Sequence, residues 1–283
     1  MSPTGRPEGE YRSAQHEGSP VIPTAFIDGV GLLGPGLPNW SAGRAVLAGA
    51  VAYAPTPAEL PPAAALPAAE RRRVGRVVKL ALAVGHEAIA SRAPGSLVTV
   101  FTASGADGDN CHEICRMLAT NDRQISPTRF HNSVHNAPAG YWSIANAAMA
   151  ASTSLCAFDG SFGAGLLEAA CAVQVARTPI LMIAYDTGYP EPLHWVRSLP
   201  DAFGLALLLS PEPAAGTLAR IEVRLTTAAA DTMPDPALEA LRTTYPAARG
   251  LPLLVALARR RAGPQVIDYL DHCRLEVALT PWS

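Results

Sequence analysis

The sequence predicts a layered α/β fold. Two observations carry that expectation: near-continuous apolar strand runs, and helix-period segments set between them. Of 283 residues, 49% are hydrophobic and 16% are charged, enough apolar material to bury a sizeable core. The runs "SLVTVFTAS", "TPILMIAYD" and "FGLALLLSP" are apolar along most of their length, the pattern of strands covered on both faces. An alanine-rich segment from Gly160 to Ala176 has helical spacing and leads directly into the second run. Alternation of this kind is the signature of a layered α/β domain.

The elements follow in chain order. Residues 1 to about 20 are rich in Gly, Pro, Ser and charge, and read as a disordered tail that is neither a signal peptide nor a membrane anchor. Structure is expected to begin at "VIPTAFIDGVGLLG", and residues 21–283 read as a single domain. The stretch "YAPTPAELPPAAALP" has too many prolines for a helix or central strand and is expected to be a surface loop. "AAERRRVGRVVKLALAVGHEAIASR" reads as one helix, and a short helix is expected near Asn110 to Ala119. Towards the end, "LPLLVALARRRAG" reads as a helix and "CRLEVAL" as a strand.

Composition excludes several classes of function. A net charge of −2, with dense basic runs only at Arg71–Arg73 and Arg259–Arg261, argues against nucleic acid as a partner; both runs read as solvated helix faces. No apolar run is long enough to span a membrane. Five cysteines, an odd number, do not suggest a disulfide framework, so a reducing, cytoplasmic setting is expected. Cys111 and Cys115, followed by His131 and His135, mimic the spacing of a zinc finger. They sit inside a long apolar chain with Pro127 between them, so no metal is expected, and no cofactor either.

The chemistry concentrates at "STSLCAFDGSFGAGLLEAA", Ser152 to Ala170, where strand-type residues run straight into a helix. Cys156, Asp159 and Ser161 lie around that junction. "DGSFG" approximates a hydrolase elbow centred on Ser161, with Asp186 and either His194 or His272 as partners on paper. Asp159 takes the place of the elbow's first glycine, and a carboxylate there would oppose a developing oxyanion.

With "ISPTRFHNSVHNAPAGYWSI" added, the chain resembles the β-ketoacyl synthase family of the thiolase-like fold, and within it the short chain-length factors of aryl polyene pigment clusters. Ile125-Ser126-Pro127, Asn136 and Ala139-Gly140 match active condensing enzymes; "FHNSVHN", "GYWSIA", "STSLCAFDGSFGAGLLEA" and "YDTGYPEPL" are similar to the short subfamily. The similarity runs over roughly residues 22–210 and implies the N-terminal half of a ketosynthase. Carried forward without a gap, it brings the catalytic cysteine of active synthases onto Asp159. Asp159 has the side chain of a helix N-cap. Cys156 stands three residues before the helix, in the strand pattern, and reads as a packed thiol.

The resemblance also implies two histidines for malonyl decarboxylation, yet no His-Gly-Thr-Gly-Thr motif occurs in these residues. It therefore implies a non-catalytic subunit that pairs with a full-length ketosynthase and helps to form the tunnel for a chain carried on an acyl carrier protein. Cys111, Ile114, Cys115, Leu118, Phe130, Ser133 and Val134 become candidates for the tunnel wall or interface, with core packing as the competing reading of each. Ser152, Thr153, Ser154, Leu155 and Cys156 become the strand that pairs across the dimer axis. The alternatives left open are an active acyltransferase or ketosynthase using Cys156, and a serine hydrolase using Ser161.

Overall fold

The computed structural model describes residues 22–90, 92–121 and 123–283, so the expected tail lies outside the described residues. β1 (Thr24–Leu33) is followed by α1 (Trp40–Ala48), and residues 52–63 then hold neither helix nor strand, as the prolines require. Next come α2 (Ala68–Arg71), α3 (Arg76–Ile89), β2 (Val98–Thr102), α4 (Gly108–Leu118), α5 (Pro127–Asn132) and α6 (Ala137–Asn146). β3 (Ser152–Leu155) leads through a 3-10 turn at Phe158–Gly160 into α7 (Ser161–Ala176), β4 (Ile180–Asp186), α8 (Leu193–Val196) and β5 (Phe203–Ser210). The chain closes with β6 (Ala219–Thr226), α9 (Pro236–Thr244), a 3-10 turn at Pro246–Gly250, α10 (Leu251–Ala258) and the hairpin of β7 (Gly263–Leu270) and β8 (Cys273–Pro281).

The strands form one sheet in the order β3-β2-β4-β5-β1-β6-β8-β7. β2 runs parallel to β3 and to β4, and the other neighbouring pairs are antiparallel. Every residue of β4 and β5 is buried, because helices cover both faces. Side-chain alternation sorts them: Val100, Met182 and Leu207 pack with Phe162, Leu166 and Leu254 from α7 and α10. Phe101, Ile183 and Leu208 pack on the opposite face with Leu80, Val84 and Trp142 from α3 and α6. A β-carbon on Gly29 or Gly31 would lie 1.9 Å from the carbonyl oxygen of Ala88 or Val84, so glycines in β1 are what let α3 approach so closely.

The segment expected as one helix over 68–92 is two, interrupted between Arg71 and Arg76. Gly75 stands at the N-terminal cap of α3 within the break: it is extended, and a β-carbon there would come within 2.8 Å of the Asp107 carboxylate. The basic runs correspondingly leave the helix faces. Arg72 and Arg73 follow the end of α2, and Arg259–Arg261 lie beyond the last residue of α10. Among the described residues no helix is long and apolar enough to cross a membrane.

Candidate functional site

β2, β3 and β4 end side by side, and their following loops gather Ser104, Cys156, Asp159, Ser161 and Asp186 at the start of α7. This is where an α/β sheet usually places a ligand or a nucleophile. The backbone turns sharply between β3 and α7. Phe158 has φ 50°, a left-handed conformation unfavourable for a bulky side chain, and Ser161 holds it there. The Ser161 hydroxyl accepts from Ala157 N at 3.1 Å and donates to Phe158 O at 2.7 Å, with Ala103 O also 3.1 Å away.

That arrangement removes the hydrolase geometry. Ser161 is 1% exposed, and its hydrogen bonds go to the backbone rather than to a histidine. His194 Nε2 meets Ser198 Oγ at 3.2 Å, and His272 stands in the β7–β8 turn. Asp186, fully buried, accepts from Ser104 N, Ser104 Oγ and Ala247 N at 3.0, 2.5 and 2.7 Å, and meets no imidazole either. Burial pushes its carboxyl up to about 6, against the lowering effect of those hydrogen bonds.

Two expectations at the turn need correction. Asp159 does not cap α7: the 3-10 turn puts Gly160 at the cap position, and the Asp159 side chain points outward to Arg197, with Nη2 2.7 Å from its Oδ1. Cys156 is neither in β3, which ends at Leu155, nor packed. It is exposed, and its thiol donates to Ser104 O at 3.4 Å.

Arg197 is the residue that sequence reasoning missed. Its guanidinium carbon sits 3.8 Å above the Phe158 ring while the same group bonds Asp159, so it closes over the outside of the turn. The Asp159 side chain is 53% exposed, and a pair of this kind adds only about 0.2–1 kcal/mol, so its effect is to position groups rather than to stabilise the fold. The signal available in sequence was slight: Arg197 is the one Lys or Arg between β4 and β5.

The inner side of the turn is closed by β7. A β-carbon on Gly160 would lie 2.4 Å from Tyr269 O, and one on Gly163 would lie 3.2 Å from Asp268 O, so glycines here admit the hairpin against the helix start. Asp268 is held in turn by Arg249 at 2.7 Å and by Arg242, itself paired with Glu239. No histidine takes part in these contacts.

The remaining candidates lie on two surfaces. Cys111, Ile114, Cys115 and Leu118 occupy α4, and Phe130, Ser133 and Val134 the end of α5 and the turn after it. None of the seven is fully buried: Leu118, Phe130 and Val134 are 48%, 64% and 48% exposed, Cys111 and Cys115 are exposed, and Ile114 and Ser133 are half-buried. Among the described residues no three His, Cys, Asp or Glu side chains converge on a metal site, and Cys111 and Cys115 both stand exposed. Ser152, Thr153, Ser154 and Leu155 form β3, an outer strand of the sheet.

The comparisons with known proteins agree with this architecture. The family model for the N-terminal domain of beta-ketoacyl synthase matches residues 46–248. No curated protein matches the sequence. Among solved structures, the ketosynthase ApeO in complex with its chain length factor ApeC from Xenorhabdus doucetiae matches with a TM-score of 0.69 at 22% identity, over 90% of this chain and 99% of that one. The ishigamide ketosynthase/chain length factor matches at 0.68 and 15%, over 92% of this chain and 100% of that one. A type II polyketide synthase complex, AntDE:AntF, in which an acyl-carrier protein is in complex with its ketosynthase bound to the hexaketide, matches at 0.72 and 11%, over 93% and 100%. At these identities the likeness is one of fold, the thiolase-like fold of ketosynthases. The family match covers more than half of the chain, which therefore belongs to the β-ketoacyl synthase N-terminal domain family.

Proposed function

We propose that this chain is the non-catalytic, chain-length-setting subunit of a ketosynthase heterodimer of the aryl polyene type. The turn between β3 and α7 carries the proposal: its strained residue is Phe158, the next is an aspartate paired with Arg197, and its buried serine is spent on the backbone. An acyl-transfer site at such a turn needs an activated nucleophile beside a base, and none of these groups supplies one. The fold likeness to ketosynthase and chain length factor structures supports the choice of partner. In this reading the partner contributes cysteine and histidines, the chain under extension rides on an acyl carrier protein, and no cofactor is required.

The open edge of β3 is the proposed contact with the partner, and the exposed apolar face of α4 and α5 is the proposed wall of the shared tunnel. An apolar face of this kind on a single chain is the mark of a surface that another chain or ligand covers. The test is co-expression with a full-length ketosynthase of the aryl polyene type, purification of the complex and intact-mass measurement after loading with acyl carrier protein. Acyl mass on the partner alone is expected. Acyl mass on this chain, at Cys156, would establish the alternative of an active acyltransferase.

A further inference from the structure

Between the α5–α6 connection and the end of β4 lies a small, partly open cavity lined by Gly105, Asp107, Asn132, Val134, His135 and Tyr185, among others. The space open to the centre of a water molecule is about 10 Å³, which is one water and too little for a hydrocarbon chain. Four of its polar side chains are informative. Asp107 accepts from Asn110 N and Asn110 Nδ2 at 3.1 and 2.7 Å, and Asn132 is engaged by Arg73 O and the Tyr141 hydroxyl, both at 2.9 Å. The Tyr185 hydroxyl and His135 Nε2 are buried and have no hydrogen-bond partner among the described residues. Tyr185 is 2% exposed.

Six buried side-chain polar atoms lack a partner among the described residues, and two of them belong to residues that line this one cavity; each would cost the free energy of a lost hydrogen bond. We infer that the cavity is a built site for one ordered water that joins Tyr185 to His135. The water accepts the Tyr185 proton and donates to His135 Nε2, which fixes that imidazole with its proton on Nδ1. Its second hydrogen faces the Asp107 carboxylate, whose oxygens each keep a free lone pair, so the water has the two to four polar partners that such molecules hold. The bridge ties β4 to the segment that carries Ser133 and Val134, and so sets the position of one part of the exposed α4–α5 face.

The sign of one substitution tests this. Without a bridging water, the Tyr185 hydroxyl is a buried orphan and Tyr185→Phe relieves it, leaving the Tm of the full chain unchanged or higher. With the water, Tyr185→Phe removes its donor, and the Tm is expected to fall by about 2 to 4 °C. His135→Leu should lower the Tm as well, and in the double variant the two losses should be less than additive because they break one bridge. An unchanged or raised Tm for Tyr185→Phe, or strictly additive losses, overturns the site. High-resolution crystallography of the unmodified chain, alone or with its partner, decides independently of any variant: a water within hydrogen-bond distance of both atoms supports the inference, and its absence from a well-defined cavity sinks it.

Discussion

The Arg197 guanidinium holds the Asp159 carboxylate at 2.7 Å across 38 residues of chain, and it lies flat enough on Phe158 to sit 3.8 Å from the ring centre. A thiol in place of Asp159 would stand beside this cation and near the positive end of a 16-residue helix, the surroundings that favour a thiolate. Asp159→Cys is therefore expected to react readily with iodoacetamide and still to form no carrier-bound product by itself, since among the described residues no histidine lies in hydrogen-bond contact with the turn. Alkylation rates and mass detection of carrier-bound products measure the two halves separately. Turnover by this variant alone would overturn the subunit reading.

The native thiol is predicted to be dispensable. Cys156 is exposed and makes one long contact, with Ser104 O at 3.4 Å. Losing a contact that weak at the surface changes stability by no more than about 0.5 kcal/mol. Cys156→Ala should leave the complex intact and its product yield nearly unchanged. An intact complex that has lost product formation would restore Cys156 as a nucleophile.

How legible this was in the sequence differs from element to element. β2, β4 and β5 were readable because burial on both faces leaves a continuous apolar run, as in "ILMIAYD". β6 and β7 were not: "ARIEVRLT" interleaves Arg and Glu on a half-covered face, and "GPQVIDYL" opens with Gly-Pro and includes Asp268, whose charge is matched only by Arg242 and Arg249 from elsewhere in the chain. α6 has weak local preference, with Pro, Gly, Ser and Asn in ten residues, and is held by burying Tyr141 and Trp142. The turn at 156–161 was visible as a strand-to-helix junction, but its inner details were not. Which of Asp159 and Gly160 caps the helix depends on a 3-10 turn that Ser161 pins through the backbone, and the pairing with Arg197 is long-range.

Asp186 predicts a pH signature. Burial raises its carboxyl from an ordinary 3.8 to about 6, so between those values the folded chain binds more proton than the unfolded chain. This group's contribution to stability is therefore present below about pH 4 and is lost as pH rises through 6. Asp186→Asn keeps an acceptor for Ser104 but turns an amide N–H₂ towards Ala247 N–H, which costs about 1–3 kcal/mol. The variant should be less stable at low pH, and the gap should narrow as pH rises to 7. Chemical denaturation at several pH values checks this, and a gap independent of pH would mean that Asp186 ionises normally.

The open edge of β3 predicts how assembly fails. Thr99 N bonds Ala151 O and Ala103 N bonds Leu155 O, so in the parallel ladder the odd-numbered residues face β2. Ser154 then points its backbone N–H outward. Ser154→Pro removes that outward donor without removing a donor to β2, and is expected to abolish co-purification with the ketosynthase while this chain keeps its helical and sheet signal in circular dichroism. Full recovery of the complex would place the partner elsewhere.

Length control is the sharpest test of the α4–α5 face. Ile114 is half-buried on α4, and Ser133 follows α5 with its hydroxyl donating to Phe130 O at 2.9 Å. If these positions were core, added bulk would overpack them and cost about 1–3 kcal/mol. They are not core, so Ile114→Trp and Ser133→Phe should fold and assemble, with a stability change within about 0.5 kcal/mol. On the proposed reading, an added ring that faces the space shared with the growing chain shortens the longest product that fits. The product distribution should shift to fewer extension cycles for whichever position faces the tunnel. Chromatography with mass detection of carrier-bound polyenes reads the shift directly. Unchanged lengths from well-assembled complexes of both variants would assign length control to the partner and leave this face as an interface alone.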